Sequence, residues 1–420
     1  VDKALIITYY WPPGGGAGVQ RWLKMARYLP EFGIEPYILT VDPVCATYPV
    51  TDISLEEDIP DGLKIYKTKA LDFFRILSRD KSALSSAGFA KEGKNPFKEK
   101  VARFIRGNFF IPDPRRGWNR YAFRKAVEII ENNTIKAVIT TSPPHSTQLI
   151  GLRLKKRFPE IKWIADLRDP WTDIYYYREF YPSFPARMKD KGLEKKVITG
   201  ADHIVTVGPS LSELYSAKHP SVSEKITVIR NGYDYNDFKE LYPQKPEVFT
   251  ISYTGTLSDS YNLSSLVAAL REIERTGKQF RLRFTGFVSR QQKELLTTSL
   301  PAGIVEFHNY CSHPEAIKEM VAASVLLLLI PEHTSSKVIL TGKLYEYIAT
   351  GKPIICIGPV DGDAASVVSG LGNGAVAGYD DDATIRKFLE EAIDGKVPDR
   401  KYLPGSFSRK EGAAKLSTLI

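Results

Sequence analysis

Ile6-Ile7-Thr8-Tyr9-Tyr10-Trp11-Pro12-Pro13-Gly14-Gly15-Gly16-Ala17-Gly18-Val19-Gln20-Arg21 passes from an apolar run, through a proline- and glycine-rich turn, into a helix start. A short β-branched and aromatic run that ends at turn residues reads as a buried strand. Strand, glycine turn and helix in that order form the opening unit of a parallel α/β sheet. Glycines let a backbone approach a ligand closely, and a helix N-terminus offers unpaired N–H groups to an anion. The loop at Gly14, Gly15 and Gly16 is not a Walker loop, and Val19 stands where a dinucleotide fingerprint has its third glycine. Asp42, at the end of the second strand, keeps a dinucleotide reading open; a flexible strand-to-helix turn is the plainer one.

Working outward, the same alternation continues. Residues 4–8, 36–41, 137–141, 163–165 and 203–207 read as strands, with amphipathic stretches at 20–29 and 146–157 between them. A polar break follows at 233–246. Strand-like runs then resume at 250–253, 281–284, 305–308, 325–330 and 353–357. This predicts two successive doubly wound domains: residues 1–240, with a helical insertion at about 64–125, and residues 241–400. The segment 401–420 is expected to pack back on the first domain. In open parallel sheets ligands bind beyond the carboxyl ends of the strands, so the loops there carry the search for a site.

Composition supports this reading. The 420 residues are 43% hydrophobic and 25% charged, as in globular proteins of two domains. The first ten residues read as a strand and not as a signal peptide, and the apolar run 321–330 is about half a membrane span. Cys45, Cys311 and Cys356 have neither metal-ligand nor redox spacing, which suits a reducing cytoplasm. A net charge of +9 points to an anionic partner, and eleven Lys/Arg fall between Lys91 and Lys125. Nucleic acid, anionic lipid, a phosphorylated substrate and a merely solvated basic face all fit charge alone.

The strand-end loops are more telling. Thr140-Thr141-Ser142-Pro143-Pro144-His145-Ser146 and Asp166-Leu167-Arg168-Asp169-Pro170-Trp171 end two strands of the first domain. Arg230-Asn231-Gly232-Tyr233-Asp234 precedes the break, and Tyr253-Thr254-Gly255-Thr256 ends the first strand after it. Thr341-Gly342-Lys343-Leu344-Tyr345-Glu346-Tyr347-Ile348-Ala349-Thr350-Gly351-Lys352-Pro353 leads into a late strand. In this order, over essentially the whole chain, these segments resemble the family 4 glycosyltransferases of the GT-B fold. The likeness is greatest to the branch found in bacterial capsule, lipopolysaccharide and exopolysaccharide clusters, and the Glu346 segment is its most specific part.

The resemblance implies an α/β GT-B fold, two Rossmann-like doubly wound parallel-sheet domains facing across a cleft. The nucleotide sugar then belongs to the C-terminal domain and the acceptor to the N-terminal one. Glu346 matches the residue that hydrogen-bonds the ribose hydroxyls, a task suited to the two acceptor oxygens of a carboxylate. Thr341 is the expected N-cap of its helix, and Gly342, Lys343 and Leu344 lie at the helix start facing the diphosphate. A surface Lys343–Glu346 pair, worth about 0.2–0.5 kcal/mol, is the alternative. Gly255 and Gly286 end strands where a side chain would obstruct the nucleotide; Thr256, Asn309 and Tyr310 join this donor side. His145 matches a histidine near the donor sugar; a satisfied structural His is the alternative. Asp169 either orients an acceptor hydroxyl, pairs with Arg168 or caps a turn.

The chain also departs from the family pattern. Val338 stands where many relatives carry a second Glu, eight positions before Glu346, and Thr256 and Asn262 replace an Arg and a Lys that neutralise the diphosphate. Lys343 or the helix N-terminus is left for that role. Asp361-Gly362-Asp363 has the metal-binding spacing of the unrelated GT-A enzymes, but reads here as a solvated loop, and no metal or other cofactor is expected. The implied reaction transfers a glycosyl unit with retention to a lipid-linked or oligosaccharide acceptor at the cytoplasmic membrane face. Phe97, Val101, Phe104 and Ile105 at helical spacing, among Lys98, Lys100, Arg103 and Arg106, and then Phe109 to Arg120, suggest peripheral contact of residues 97–120 with anionic lipid. A stripe packed on the first domain is the alternative. Three rival functions stand beside transfer: a sugar-nucleotide 2-epimerase, an NAD-linked oxidoreductase and a basic nucleic-acid-binding protein. No nucleic-acid motif accompanies the charge, and no nucleic-acid partner is expected.

Overall fold

Continuous apolar strands such as Val325-Leu326-Leu327-Leu328-Leu329 can be stable only with both faces covered, and the chain builds two sheets of this kind. The computed structural model describes residues 1–71, 96–239, 246–400 and 405–420, except the side chains of Pro96, Lys98 and Glu99. Contacts divide these residues into two units, Val1–Asn231 with Arg409–Ile420, and Gly232–Ser408. The division falls at Asn231/Gly232, ahead of the expected residue 240; residues 240–245 lie outside the described residues.

The first unit holds β1 (Asp2–Ile7), β2 (Ile34–Val41), β3 (Lys64–Thr68), β4 (Ile135–Ser142), β5 (Lys162–Leu167), β6 (His203–Thr206) and β7 (Ile226–Val228). They form a parallel sheet of order β3-β2-β1-β4-β5-β6-β7. Side chains alternate between its two faces. Leu5, Ile7, Leu39 and Val138 enter one apolar cluster, while Ala4, Ile6, Ile38 and Ile139 enter the other. Each leucine, isoleucine or valine among these, fully buried, contributes about 1.5–3 kcal/mol. The helix Arg409–Ser417 lies against the helix Ala17–Tyr28, with Ala413 and Leu416 inside the second of these clusters.

The second unit holds β8 (Thr250–Thr254), β9 (Arg281–Thr285), β10 (Val305–His308), β11 (Val325–Leu329), β12 (Ile354–Ile357) and β13 (Gly374–Ala377), parallel throughout, in the order β10-β9-β8-β11-β12-β13. Leu327, Leu329 and Ile355 face one cluster; Leu326, Leu328, Ile354 and Cys356 face the other.

The expected helical insertion at 64–125 needs correction. Its first residues are β3, an edge strand in register with β2 from Tyr37↔Lys64 to Val41↔Thr68. Lys64 reaches Glu35 at 2.8 Å and Tyr37 Oη at 2.7 Å, so its charge caps the sheet edge. Its last residues belong to Asn119–Asn132, an ordinary helix packed on β2 and β3. Between them lie the helix Pro96–Phe109 and the 3-10 turn Pro114–Trp118; residues 72–95 fall outside the described residues.

Candidate active site

In each sheet the strand order reverses direction once, between β1 and β4 and between β8 and β11. Crevices form beyond the strand ends at such switch points. In the second unit, the turns after β8 and β9 and the helix Gly342–Thr350 meet there.

The backbone at these turns fixes glycine. Gly255 and Gly286 adopt φ +125° and +124°. A Cβ on Gly286 would stand 2.4 Å from the Gly255 carbonyl oxygen, and one on Gly255 would stand 2.9 Å from Lys343 Nζ. The requirement for glycine is thus internal to the protein, whatever the ligand. Lys343 Nζ lies 3.9 Å from the centre of the Tyr253 ring, a cation–π contact. Burial lowers its pKa to about 7, against the opposing pull of Glu346.

Glu346 sits one helical turn further on, where His313 Nε2 lies 2.9 Å from its Oε1. His313 opens the helix His313–Val321, whose capping box joins Ser312 to Glu315. Sequence reasoning missed His313, because nothing in the chain links it to a residue thirty-three positions away. Thr341 occupies the N-cap position, but its side chain caps nothing, and its buried Oγ1 has no hydrogen-bond partner. The Leu344 side chain is wholly buried in the core, and its backbone N–H donates to Thr341 O at 3.3 Å, so neither is left for a ligand. Thr256 gives its carbonyl to Tyr253 Oη at 2.7 Å, and Asn262 donates to Glu332 at 3.1 Å. Asn309 and Tyr310 follow β10 and are exposed. Asp361 pairs with Lys337, whereas Asp363 is buried at the start of the next helix and so does not belong to a solvated loop.

In the first unit the glycine loop lies beside the end of β4. It is clamped, not a loose turn: Gly14 bridges Thr51, Gly15 N donates to Val50 O at 2.9 Å, and Asp52 N donates to Pro13 O at 2.8 Å. Gly16 forms the N-cap of the helix Ala17–Tyr28. Asp42 accepts from Val44 N at 2.9 Å and so caps a local turn.

Beneath this loop lies a buried charge network. Arg21 and Asp166, each 1% exposed, pair at 3.0 Å, and Asp166 also accepts from Trp22 Nε1 at 3.1 Å and Thr141 Oγ1 at 2.7 Å. Arg168 donates to the carbonyls of Ser142 and Pro143, which locks the β5 loop to the His145 turn. His145 stacks on Trp171, with centroids 4.8 Å apart and planes 12° from parallel. Burial, then the charge of Arg168, lowers its pKa to about 3, so the ring is neutral at physiological pH. Its buried Nδ1 has no hydrogen-bond partner.

Asp169 neither pairs with Arg168 nor caps a turn. Among the described residues no hydrogen bond or ion pair engages its carboxylate, and burial raises its pKa, opposed by Arg168 and assisted by Asp166. A neutral imidazole and an uncommitted carboxyl, on adjacent strand-end loops, can accept protons or hydrogen bonds from hydroxyl groups.

The amphipathic segment divides its charges differently from its sequence pattern. Phe97, Val101 and Phe104 are exposed. Arg103 pairs with Glu179 at 3.3 Å, Arg106 stacks over Phe180, and Arg115 is buried, leaving Lys100, Arg116 and Arg120 outward. Among the described residues no helix is long and apolar enough to cross a membrane.

Comparison with known proteins bears on the fold. No protein-family model and no curated protein matches the sequence. Solved structures do match over the whole chain. Sucrose-phosphate synthase from Thermosynechococcus elongatus is similar with a TM-score of 0.62 at 14% identity, over 100% of this chain and 98% of that one. HepE from Anabaena, solved with UDP and glucose, gives 0.57 at 12% identity over 100% and 95%. A structure described as a UDP-N-acetylglucosamine 2-epimerase from Listeria monocytogenes gives 0.56 at 12% over 99% and 94%. The chain therefore has the α/β fold of the GT-B glycosyltransferases, with one Rossmann-like sheet in each unit.

Proposed function

We propose that this protein is a glycosyltransferase that moves a hexosyl unit from a nucleoside-diphosphate sugar to an acceptor hydroxyl. The carrying observation is the helix Gly342–Thr350, which brings Lys343 and a His313-buttressed Glu346 to the switch point of the second sheet. Glu346 binds the ribose hydroxyls, and Lys343 with the helix N-terminus neutralises the diphosphate. The UDP and glucose bound by the similar HepE support a donor of this class.

On the acceptor side, Asp169 orients the hydroxyl and neutral His145 lies near the transferring sugar. Transfer proceeds with retention, the leaving diphosphate taking the acceptor proton on the same face. The protein contributes positioning and electrostatic stabilisation, without a metal or other cofactor. The acceptor is a lipid-linked saccharide in bacterial surface-polysaccharide synthesis, met at the cytoplasmic membrane face. Phe97 at 74% and Phe104 at 47% exposure, beside Lys100, support contact with anionic lipid through residues 97–120. Co-sedimentation with anionic but not neutral vesicles, weakened by salt, is expected; protein left in the supernatant at low salt refutes the contact.

Calorimetric titration with UDP-, GDP-, ADP- and dTDP-sugars tests the main reading. One of them binds, and Glu346→Ala weakens it well over tenfold, since each hydrogen bond to a charged group contributes roughly 1.5–3 kcal/mol. Equal affinities of wild type and variant reject the assignment. The 2-epimerase reading has support in the similar Listeria structure. It predicts an isomerised sugar and free nucleotide without any acceptor, which product analysis separates from transfer.

A further inference from the structure

The helix Pro96–Phe109 and the turn Pro114–Trp118 that follows it each carry an arginine that faces inward. Arg106 is held by its own helix. At Gly107 a Cβ would stand 2.2 Å from the Phe180 carbonyl oxygen, so the helix lies directly on the turn Tyr175–Phe180. Asn108 fixes the same contact by donating to Tyr181 O at 3.1 Å and accepting from Ser183 N at 2.8 Å. This docking seats the Arg106 guanidinium 3.9 Å from the Phe180 ring centre. Arg115 is 6% exposed, with its guanidinium 5.9 Å from the centre of the Tyr10 ring.

The two guanidiniums repel each other. Burial and then the charge of Arg115 lower the Arg106 pKa to about 10, with Tyr176, Asp113 and Tyr10 close enough to oppose the shift. Asp113 is the carboxylate among these neighbours, and it is occupied elsewhere. It accepts from Arg115 N at 2.9 Å, from Ser146 N at 2.7 Å and from Ser146 Oγ at 2.8 Å. Those bonds tie the arginine turn to the His145 turn. Among the described residues, no hydrogen bond or ion pair engages the Arg106 guanidinium, which stays partly exposed. The five forked N–H donors of Arg106, which no anion among the described residues engages, match the geometry of a phosphate group, and Arg115, which donates to Thr47 O at 3.4 Å, adds its charge. Tyr176, which senses the charge of Arg106, also senses that of Asp169. By geometry the Asp113 bonds place Arg115 and its turn against the His145 turn, on the proposed acceptor side.

We infer that Arg106 and Arg115, with Tyr10 and Tyr176, form a binding site for a phosphate oxyanion on the acceptor, beside the His145 turn. The assignment rests on the acceptor side of the proposed glycosyl transfer; the anion site itself does not depend on the donor chemistry. The phosphate is carried either by a soluble phosphorylated sugar or by a lipid headgroup.

Calorimetric titration with phenyl phosphate, against matched chloride, tests the site in wild type, Arg106→Gln, Arg106→Lys and Lys343→Gln. Saturable binding is expected, weakened about tenfold or more by R106Q, less by R106K, and unaffected by K343Q. If R106Q does not fold, the loss between wild type and R106K carries the comparison. Loss in K343Q with R106Q equal to wild type locates the phosphate on the donor side and overturns the inference. A second arm uses phosphatidylglycerol vesicles. Binding that R106Q lowers at least tenfold, and Lys100→Gln much less, without any phenyl phosphate binding, identifies a lipid headgroup as the source and also supports the site. No effect of R106Q in either arm overturns it. The donor titration runs separately: phosphate binding at Arg106 with no affinity for any nucleotide sugar would remove the proposed transfer and leave the anion site standing.

Discussion

Lys343 makes donor binding dependent on pH. In the free protein burial holds its pKa near 7, far below its ordinary value of 10.5. A diphosphate beside Nζ favours the ammonium form and raises that pKa in the complex. Below about pH 7 the ammonium is already present, and affinity is at its maximum and nearly flat. Above it the free protein has lost the proton that the complex holds, so binding must take one up. Each pH unit then costs up to about 1.4 kcal/mol, or tenfold in Kd, until the pKa of the complex is reached. Between pH 7 and pH 9 the dissociation constant is therefore expected to rise by up to about a hundredfold. Calorimetry at pH 8 in two buffers of different ionisation enthalpy should register about one proton absorbed per donor bound. Lys343→Met should abolish both the proton uptake and the slope. Without ligand the sign differs: the folded pKa lies below the unfolded one, so stability rises as pH climbs from about 7 towards 10.5. A wild-type affinity constant from pH 6 to 9, with no proton uptake, refutes the assignment of Lys343 to the diphosphate.

Three further outcomes are expected. His145→Ala should lower turnover more than donor affinity, and the ratio of the two pH–rate profiles should be flat from pH 5 to 8, because burial keeps this ring neutral above about 3; a profile inflected near 6.5 that the variant loses would contradict this. Arg21→Met removes the closer of the two arginines that face the Asp166 carboxylate, leaving Arg168 at 3.9 Å and, among the described residues, Trp22 and Thr141 as side-chain hydrogen-bond donors, and should cost up to about 3–5 kcal/mol in urea denaturation. Gly286→Ala forces both a disallowed φ and a clash with the Gly255 carbonyl; a loss of about 2–4 kcal/mol is expected, and an unchanged denaturation midpoint rejects that close approach.

The central strands were plain in the sequence because both their faces are buried. Val325-Leu326-Leu327-Leu328-Leu329 has no polar residue to obscure it, and the turn residues bounding β1 and β4 are equally clear. Edge strands are harder. Lys64-Ile65-Tyr66-Lys67-Thr68 has one strand neighbour and carries lysines there, and so looked like part of an insertion. Gly374-Ala375-Val376-Ala377 and Ile226-Thr227-Val228 are too short, or too poor in β-branched residues, to show a period. At the site, the Glu346 helix was legible because its residues are contiguous. His313 and the Arg106–Arg115 pair were not, since each depends on contacts that only the folded chain makes. The seven residues Lys100 to Arg106 illustrate the limit. Their periodicity gives a helix with cations, but not that Arg106 turns inward over Phe180 while Phe104 is left outside.

The return of Arg409–Ile420 to the first unit bears on how the protein is made. A ribosome delivers Val1–Asn231 first, yet that unit lacks Ala413 and Leu416 from one of its two apolar clusters until the whole of Gly232–Ser408 has been translated. During this interval Met25, which lies 3.2 Å from where a Cβ on Gly412 would be, and its neighbours on the helix Ala17–Tyr28 remain uncovered. The nascent first unit is then a ready client for chaperones, and a premature stop within the codons of Arg409–Ile420 would damage a unit whose sheet was synthesised before Gly232–Ser408.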